Sequence, residues 1–477
     1  MMSMDKIVRS NSNLLDKHYW SEHKGLSLLC NHLWQEYFHN DQLNKENQRH
    51  KGKSKPKNVF RNLLINLYVA WLEDEEKSIA VSMTKNTYKV NSRYNAIKIS
   101  SKIIDMVHKL EKKQLIDTRQ GSEQSGRVTR IRATTSLMKQ FAAINFCMLE
   151  DLEPAYTIKE LVVLNKKDED DKKQELEYYD TYQTEKMRAE LKSYNKLINE
   201  SHIDIPSLKQ PVITRTFWNP KKQKYQEIPV QITHQHKLLR RIFYRGSFDY
   251  GGRLHGAWWQ SIDSDYRSQI YINGKPTVEA DYSGLHIALL YGLKGKQPPK
   301  DPYMLDYALE GFNKDEQRAV VKGLVLNSIN ASTEKSAFGA FRQKQPTGTR
   351  EKKLKNQQLK LLLDTFCTQH PLIQDSICKD KGVELMRLDG EIAIKVVNHF
   401  TSLHIPVLTI FDSFIVETDK EEELKNVMKH AVNSSLGFKV NIKLEEGVTT
   451  PDHKLKPTLE YKRRLLKHQQ WIQQLTL

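Results

Sequence analysis

Two stretches decide the fold, TVEADYSGLHIALLYGLKG (277–295) and HIPVLTIFDSFIVETDKEEELKNVM (404–428). In the first, Val278 to Ala280 can form a buried strand that delivers Asp281 at its end. Ser283 can then cap a helix whose apolar positions include Leu285, Ala288 and Leu289. A carboxylate at a strand end beside a helix start is well suited to hold a metal. In the second, Val407 to Phe411 and Phe414 to Val416 read as strands, with Asp412 and Ser413 between them. An Asp in a tight turn between apolar strands is costly unless its charge is compensated. A bound metal would compensate it, and a turn-capping carboxylate is the alternative.

A third stretch lies between these two. In NKDEQRAVVKGLVLNSINAS (313–332), Asn313 and Glu316 have the spacing of a capping box. Beyond them Arg318, Lys322, Leu326 and Asn330 step by four along one stripe of a helix. Arg318 and Lys322 would point together at an anion such as a triphosphate. Two solvated cations on a surface helix are the plainer reading of the same spacing.

In this order, the three stretches resemble motifs A, B and C of right-hand nucleic-acid polymerases, chiefly the DNA polymerase I family and the single-subunit phage-type RNA polymerases. Gly252-Arg253-Leu254, Trp259-Gln260-Ser261-Ile262, Arg267 and Asp281-Tyr282-Ser283 follow the polymerase I pattern, and Asp249 to His255 approximates a phage-type segment. RLDGEIAIKVVNHF (387–400) looks like the helix that precedes motif C. The resemblance covers roughly residues 240–450. It implies an α+β fold, a palm-and-fingers core with an antiparallel palm sheet. It also implies two-metal nucleotidyl transfer, with Asp281 and Asp412 holding two Mg²⁺ ions, Mn²⁺ being an alternative. Arg318 and Lys322 would hold the triphosphate, and Arg253 would touch the primer–template. His286, Asn330, Tyr282, Gln260 and Ser413 would line the nucleotide site. The partners implied are a DNA template and primer and nucleoside triphosphates, in replication of a phage or mobile element.

Several residues depart from the pattern. Ser413 after Asp412 is phage-like, whereas polymerase I relatives have an acidic residue there. His286 stands where DNA enzymes have Glu and phage-type RNA enzymes Gly, and a bulky imidazole would exclude a 2′-hydroxyl. Asn330 replaces a Tyr and Leu326 an aromatic residue. The spacings from Asp281 to Lys322 and Asp412 are short, which implies compact fingers. DNA synthesis is favoured over the alternatives, an RNA polymerase or primase and an inactive palm-like replication initiator.

Upstream, IKISSKIIDMVHKLEKKQLI (98 onward) has Ile99, Ile103, Val107 and Leu110 at helical spacing. It runs into LIDTRQ, a GSEQSG turn and RVTRIRAT. A helix followed by a basic hairpin resembles a winged helix, which would use Arg119, Arg127, Arg130 and Arg132 on phosphates. An ordinary helix–hairpin with a solvated basic face fits equally. The charged stretch 165–200 reads as an exposed helical arm, and 213–228 as a hairpin around Asn-Pro. These features divide the chain into 1–58 (helical and basic segment with a linker), 59–148 (winged helix), 149–235 (charged connector or thumb), 236–450 (palm and fingers) and 451–477 (basic tail).

Composition agrees with a nucleic-acid partner. The chain has 477 residues, 75 Lys+Arg against 58 Asp+Glu and a formal charge of +17, so an anionic partner is expected. Hydrophobic residues at 38% and charged residues at 28% exclude collagenous and wholly disordered chains. No apolar run is long enough to span a membrane, and the N-terminus lacks the apolar core of a signal peptide. Cys30, Cys147, Cys367 and Cys378 are far apart, which disfavours a zinc ribbon and suits a reducing, cytoplasmic compartment.

Overall fold

The computed structural model describes residues 12–49, 55–121, 128–144, 152–169, 172–438, 440–445 and 456–475. The fold is mixed α+β with mainly antiparallel strands, and the chain divides into two compact units, 1–160 and 161–477. Among the described residues, no helix is long and apolar enough to cross a membrane.

The first unit contains β1 (Ser12–Leu14), α1 (Lys24–Phe38), α2 (Gln42–Arg49), α3 (Pro56–Glu73), β2 (Ser78–Val81), α4 (Lys102–Lys112), β3 (Ile116–Arg119), β4 (Thr129–Ala133) and α5 (Thr135–Ala142). Its sheet runs β1-β2-β4-β3. Helix α3 is apolar on almost every side, as a central helix must be, and Phe60 packs 5.8 Å from Trp34 and 5.1 Å from Phe38 of α1. Residues 12–49 therefore belong to this core and are not a separate segment. Pro56 is buried and starts α3, where its fixed φ and missing N–H suit a first turn, so the expected linker stops before it. Helix α4 starts later than its periodicity suggests. The Asn95 side chain accepts from Ile99 N at 2.8 Å, and Lys98 is left-handed at φ 61°.

A helix followed by a hairpin is present as α4–β3–β4, yet its arginines are partly neutralised. Arg132 pairs with Glu76 and with Asp117 (3.2 Å), and Arg130 Nε donates to Ser12 Oγ at 3.2 Å. Arg119 ends β3, and Arg127 lies outside the described residues.

In the second unit, β5 (Val162–Lys167), β6 (Lys173–Glu175) and α6 (Tyr182–Glu200) precede β7 (Ile203–Asp204) and the hairpin β8 (Val212–Asn219)–β9 (Lys224–Gln231). β10 (Arg240–Phe243), β11 (Gly251–His255), β12 (Tyr271–Ile272) and β13 (Lys275–Tyr282) follow. Next come α7 (Leu285–Leu293), α8 (Lys314–Ile329), α9 (Glu334–Lys344), α10 (Asn356–Gln369) and α11 (Gly382–Ser402). The chain closes with β14 (Leu408–Ile410), β15 (Ser413–Glu417), α12 (Glu421–Leu436), β16 (Ile442–Glu445) and α13 (Leu459–Leu475). The largest sheet runs β14-β15-β13-β12-β7, with β16 also paired to β13. A second runs β11-β10-β5-β6.

Within the charged 165–200 stretch, the described residues are not a free arm. β5 pairs in parallel with β10, and α6 buries Met187, Leu191, Tyr194 and Ile198. Tyr194 donates its hydroxyl to Val407 O at 2.8 Å. That apolar stripe is diluted by so many charges that composition hides it. The basic tail also folds back. In α13, Tyr461 is buried, Arg464 Nε donates to buried Asp204 at 2.7 Å, and His468 Nε2 meets Glu200 O at 3.0 Å. Arg464 is therefore committed within the fold.

Candidate active site

Strand β13 is central in its sheet because Thr277, Val278 and Ala280 are buried while both its edges are paired. On one edge Asp281 stands opposite Ser413, and on the other opposite Lys443. Ile410 pairs with Ser413, so Phe411 and Asp412 form a two-residue turn. Tyr282 N donates to Asp412 O at 3.3 Å. Asp281 and Asp412 thus occupy neighbouring positions at the ends of adjacent strands.

The turn is strained and held by packing. Phe411 has φ 59°, a left-handed conformation that costs a non-glycine residue about 1–2 kcal/mol. Its ring lies 5.4 Å from the Arg253 guanidinium carbon and 5.1 Å from the His255 ring. Those contacts keep the turn, and Asp412 with it, in one arrangement.

Beneath the turn lies a buried charge cluster. Arg253 on β11 pairs with Asp389 on α11 and donates through its NH2 group to His286 Nε2 at 2.8 Å. Asp389 is only 1% exposed. Burial, with a smaller push from the charge of Asp412, lifts its carboxyl to about 6 against the pull of Arg253. Burial also raises Asp412, while Arg253 and then Lys322 pull it down and Glu279 pushes it up. Burial, reinforced by Arg253, pushes His286 down to about 3, so its ring is neutral near pH 7. Because Nε2 accepts from Arg253, the proton is assigned to Nδ1, which has no hydrogen-bond partner among the described residues.

The remaining expected site residues divide into two groups. Lys322 is exposed on α8 and acts on Asp412 through its charge. Arg318 pairs with Asp301 at 2.5 Å and lies 5.8 Å from the Tyr303 ring. The reciprocal Asn313–Glu316 cap, both bonds 2.9 Å, starts this helix. Asn330 ends α8, exposed, with its Nδ2 donating to Leu326 O at 2.7 Å. Four others are committed to the framework. Tyr282 is buried and donates to Met428 O at 2.7 Å. Ser413 donates to Glu279 Oε1 at 2.6 Å. Gln260 donates to Leu254 O and Thr409 O, each at 3.0 Å. Arg253, expected at a primer–template, is spent on Asp389 and His286.

Sequence reasoning assigned no role to Asp389 or Phe411. The signal for Asp389 was available, since it is acidic on a stripe with Leu385, Ile392, Val396 and Phe400, all buried. Phe411 carried none, because its φ is set by the turn.

Among the described residues, no three His, Cys, Asp or Glu side chains converge on a metal cage. A magnesium ion needs no such cage, since it binds through one or two carboxylates and completes its shell with water and substrate phosphates. The desolvated Asp412 carboxylate gains from any nearby cation. An all-oxygen donor set also suits manganese.

No protein-family model matches the chain, and no curated protein does. Among solved structures, it is similar to the POL domain of Pol1 from M. smegmatis in complex with DNA primer–template and dNTP. The identity is 10% and the TM-score 0.31, over 44% of this chain and 47% of that one. The match thus spans about half the length of that polymerase chain. At this TM-score the likeness leaves any assignment to the site's own residues.

Proposed function

We propose that residues 161–477 catalyse template-directed nucleotidyl transfer, adding deoxynucleoside monophosphates from their triphosphates to a 3′-hydroxyl. One observation carries the reading: Asp281 and Asp412 end adjacent strands side by side, with the charges of Arg253 and Lys322 acting on Asp412. In this reading the sheet around β13 is a palm, α8 to α10 are fingers, and α4–β3–β4 of the first unit is a winged helix on DNA.

Asp281 and Asp412 would hold magnesium, whose charge activates the 3′-hydroxyl and offsets charge on the leaving pyrophosphate. Lys322 has no ion-pair partner among the described residues and would take the triphosphate. Arg318, steadied by Asp301, would add a second phosphate contact. Arg253 keeps Asp389 from leaving an uncompensated charge behind Asp412. The balance of pyrophosphate release and phosphodiester formation needs no other reactant.

A second reading, RNA synthesis, is favoured by Ser413 following Asp412 and by the Asp249 to His255 segment, whereas the bulk of the His286 ring favours deoxyribose. Primer extension with dNTPs and with NTPs, in magnesium or manganese, tests both. Asp281→Asn and Asp412→Asn are each expected to lower incorporation about 10²- to 10³-fold, the scale of losing one preorganised charge-stabilising group. Full activity in both variants overturns the metal assignment. Incorporation of NTPs alone replaces DNA synthesis with RNA synthesis.

A further inference from the structure

The hairpin β8–β9 is not used by the site above. Its register pairs Trp218 with Tyr225 and Asn219 with Lys224, so the tip turns through Pro220, Lys221, Lys222 and Gln223. Trp218 and Tyr225 share a face and meet edge-on at 5.3 Å. Tyr225 is 61% exposed, so its ring is open to a ligand. The tip is also fixed in place. Trp218 Nε1 and Gln223 Nε2 donate to Gln343 O at 3.5 and 3.2 Å. Lys352 Nζ donates to Gln223 Oε1 at 2.6 Å and lies 5.8 Å from the Trp218 ring.

This docking joins two basic stretches that are far apart in sequence, the tip NPKKQK (219–224) and the segment RQKQPTGTREKKLK (342–355). Lys221, Lys222, Lys224, Lys344 and Lys353 are exposed, and among the described residues none pairs with a carboxylate. Lys352 bonds only neutral oxygens, those of Gln223, Arg342 and Gln345. Glu227 is the acidic residue on the hairpin, two positions from Tyr225 on the same face. Uncompensated cations around an exposed Tyr225 ring, held edge-on against half-buried Trp218, are the chemistry of a single-strand platform: cations follow the phosphates while bases stack on the ring. A duplex, with its bases already stacked, would leave Tyr225 unused.

We infer that the β8–β9 tip and the 342–355 segment form a binding surface for single-stranded nucleic acid, apart from the Asp281–Asp412 centre. The inference does not depend on nucleotidyl transfer, because binding can be read in EDTA without nucleotides, so the two can fail separately. The full chain is titrated against a fluorescent thymidine 30-mer by anisotropy at several salt concentrations. A duplex of equal length and polyglutamate serve as competitors.

Lys221→Ala/Lys222→Ala/Lys224→Ala should weaken binding at least about tenfold. It should also flatten the log–log salt dependence by about 2, from three lost phosphate contacts at roughly 0.7 each. Tyr225→Ala should weaken binding about 5- to 100-fold and leave the salt slope unchanged, the signature of lost stacking. Tyr225→Phe and the corresponding triple Lys→Arg variant should bind like the unaltered chain, which guards against misfolding. Unchanged affinity and slope in the triple Ala variant, equal losses for duplex, or competition by polyglutamate as strong as by DNA overturns the inference.

Discussion

Removing Arg253 tests the electrostatic core of the site. Asp389 is fully buried, and Arg253 is the cation paired with it. Breaking a buried pair from one side costs about 3–5 kcal/mol, because the remaining charge must be buried alone or neutralised. Arg253→Met should therefore destabilise the β11–α11 region by roughly that amount. Asp389→Leu should cost less, since the guanidinium left without its carboxylate is only half-buried and keeps His286. The double variant should regain most of the loss, giving a coupling of about 2–4 kcal/mol, as apolar replacements of a whole pair are often neutral.

The deficit should also depend on pH. The Asp389 carboxyl is already raised from 3.8 to about 6, and losing Arg253 raises it further. A raised carboxylate binds its proton more tightly folded than unfolded, so its stability contribution falls as pH rises through the folded value. The deficit of Arg253→Met relative to the unaltered chain should therefore be larger at pH 8 than at pH 5. Because the chain has two units, one global melting curve would mix them. Hydrogen exchange read on peptides spanning 251–255 and 385–395 isolates the region. Additive losses, or a deficit unchanged between pH 5 and 8, would refute the reasoning.

Two further outcomes follow from packing and charge. A Cβ at Gly390 would lie 2.3 Å from Gly252 O, a backbone atom that cannot swing aside, so Gly390→Ala should separate α11 from β11 at a cost of about 1–3 kcal/mol. Unchanged hydrogen exchange on peptides spanning 251–255 and 385–395 would contradict this. At the tail, burial pushes His202 down to about 3 and His468 to about 4. Neutral in the fold but protonated when unfolded, both lose stability as pH falls from 6.5 toward those values. Asp204 opposes them, since burial raises its carboxyl, but two imidazoles outweigh one carboxyl. Hydrogen exchange across 459–475, corrected for intrinsic rates, should therefore show weaker protection at pH 5 than at 7.5, and equal protection would count against it.

Local chemistry made part of the fold legible. Alternating and helical apolar spacing announced β13, the Asp412 hairpin, α3 and the hairpin at 213–228, because burial of one face imposes a period of two or about four. The Asn313–Glu316 cap was readable because it is built from residues three apart. The stripe of α6 and the docked tail were not, since dense surface charge masks a few apolar anchors. The framework bonds of Tyr282, Ser413 and Gln260 were likewise not legible. Each can bond the framework or a ligand, and only the position of neighbouring carbonyls and carboxylates chooses between them.

The order of strands and carboxylates is thus written in the sequence by itself, including Asp281 at a strand end and Asp412 in a turn. The tertiary structure alone decided which cations face them. Arg253 is bound to Asp389 and His286, Lys322 acts on Asp412 across the site, and Gln223 and Trp218 dock the lysine-bearing hairpin tip against Lys352. Charges attract through space, and the distances between residues far apart in the chain are set by packing rather than by spacing.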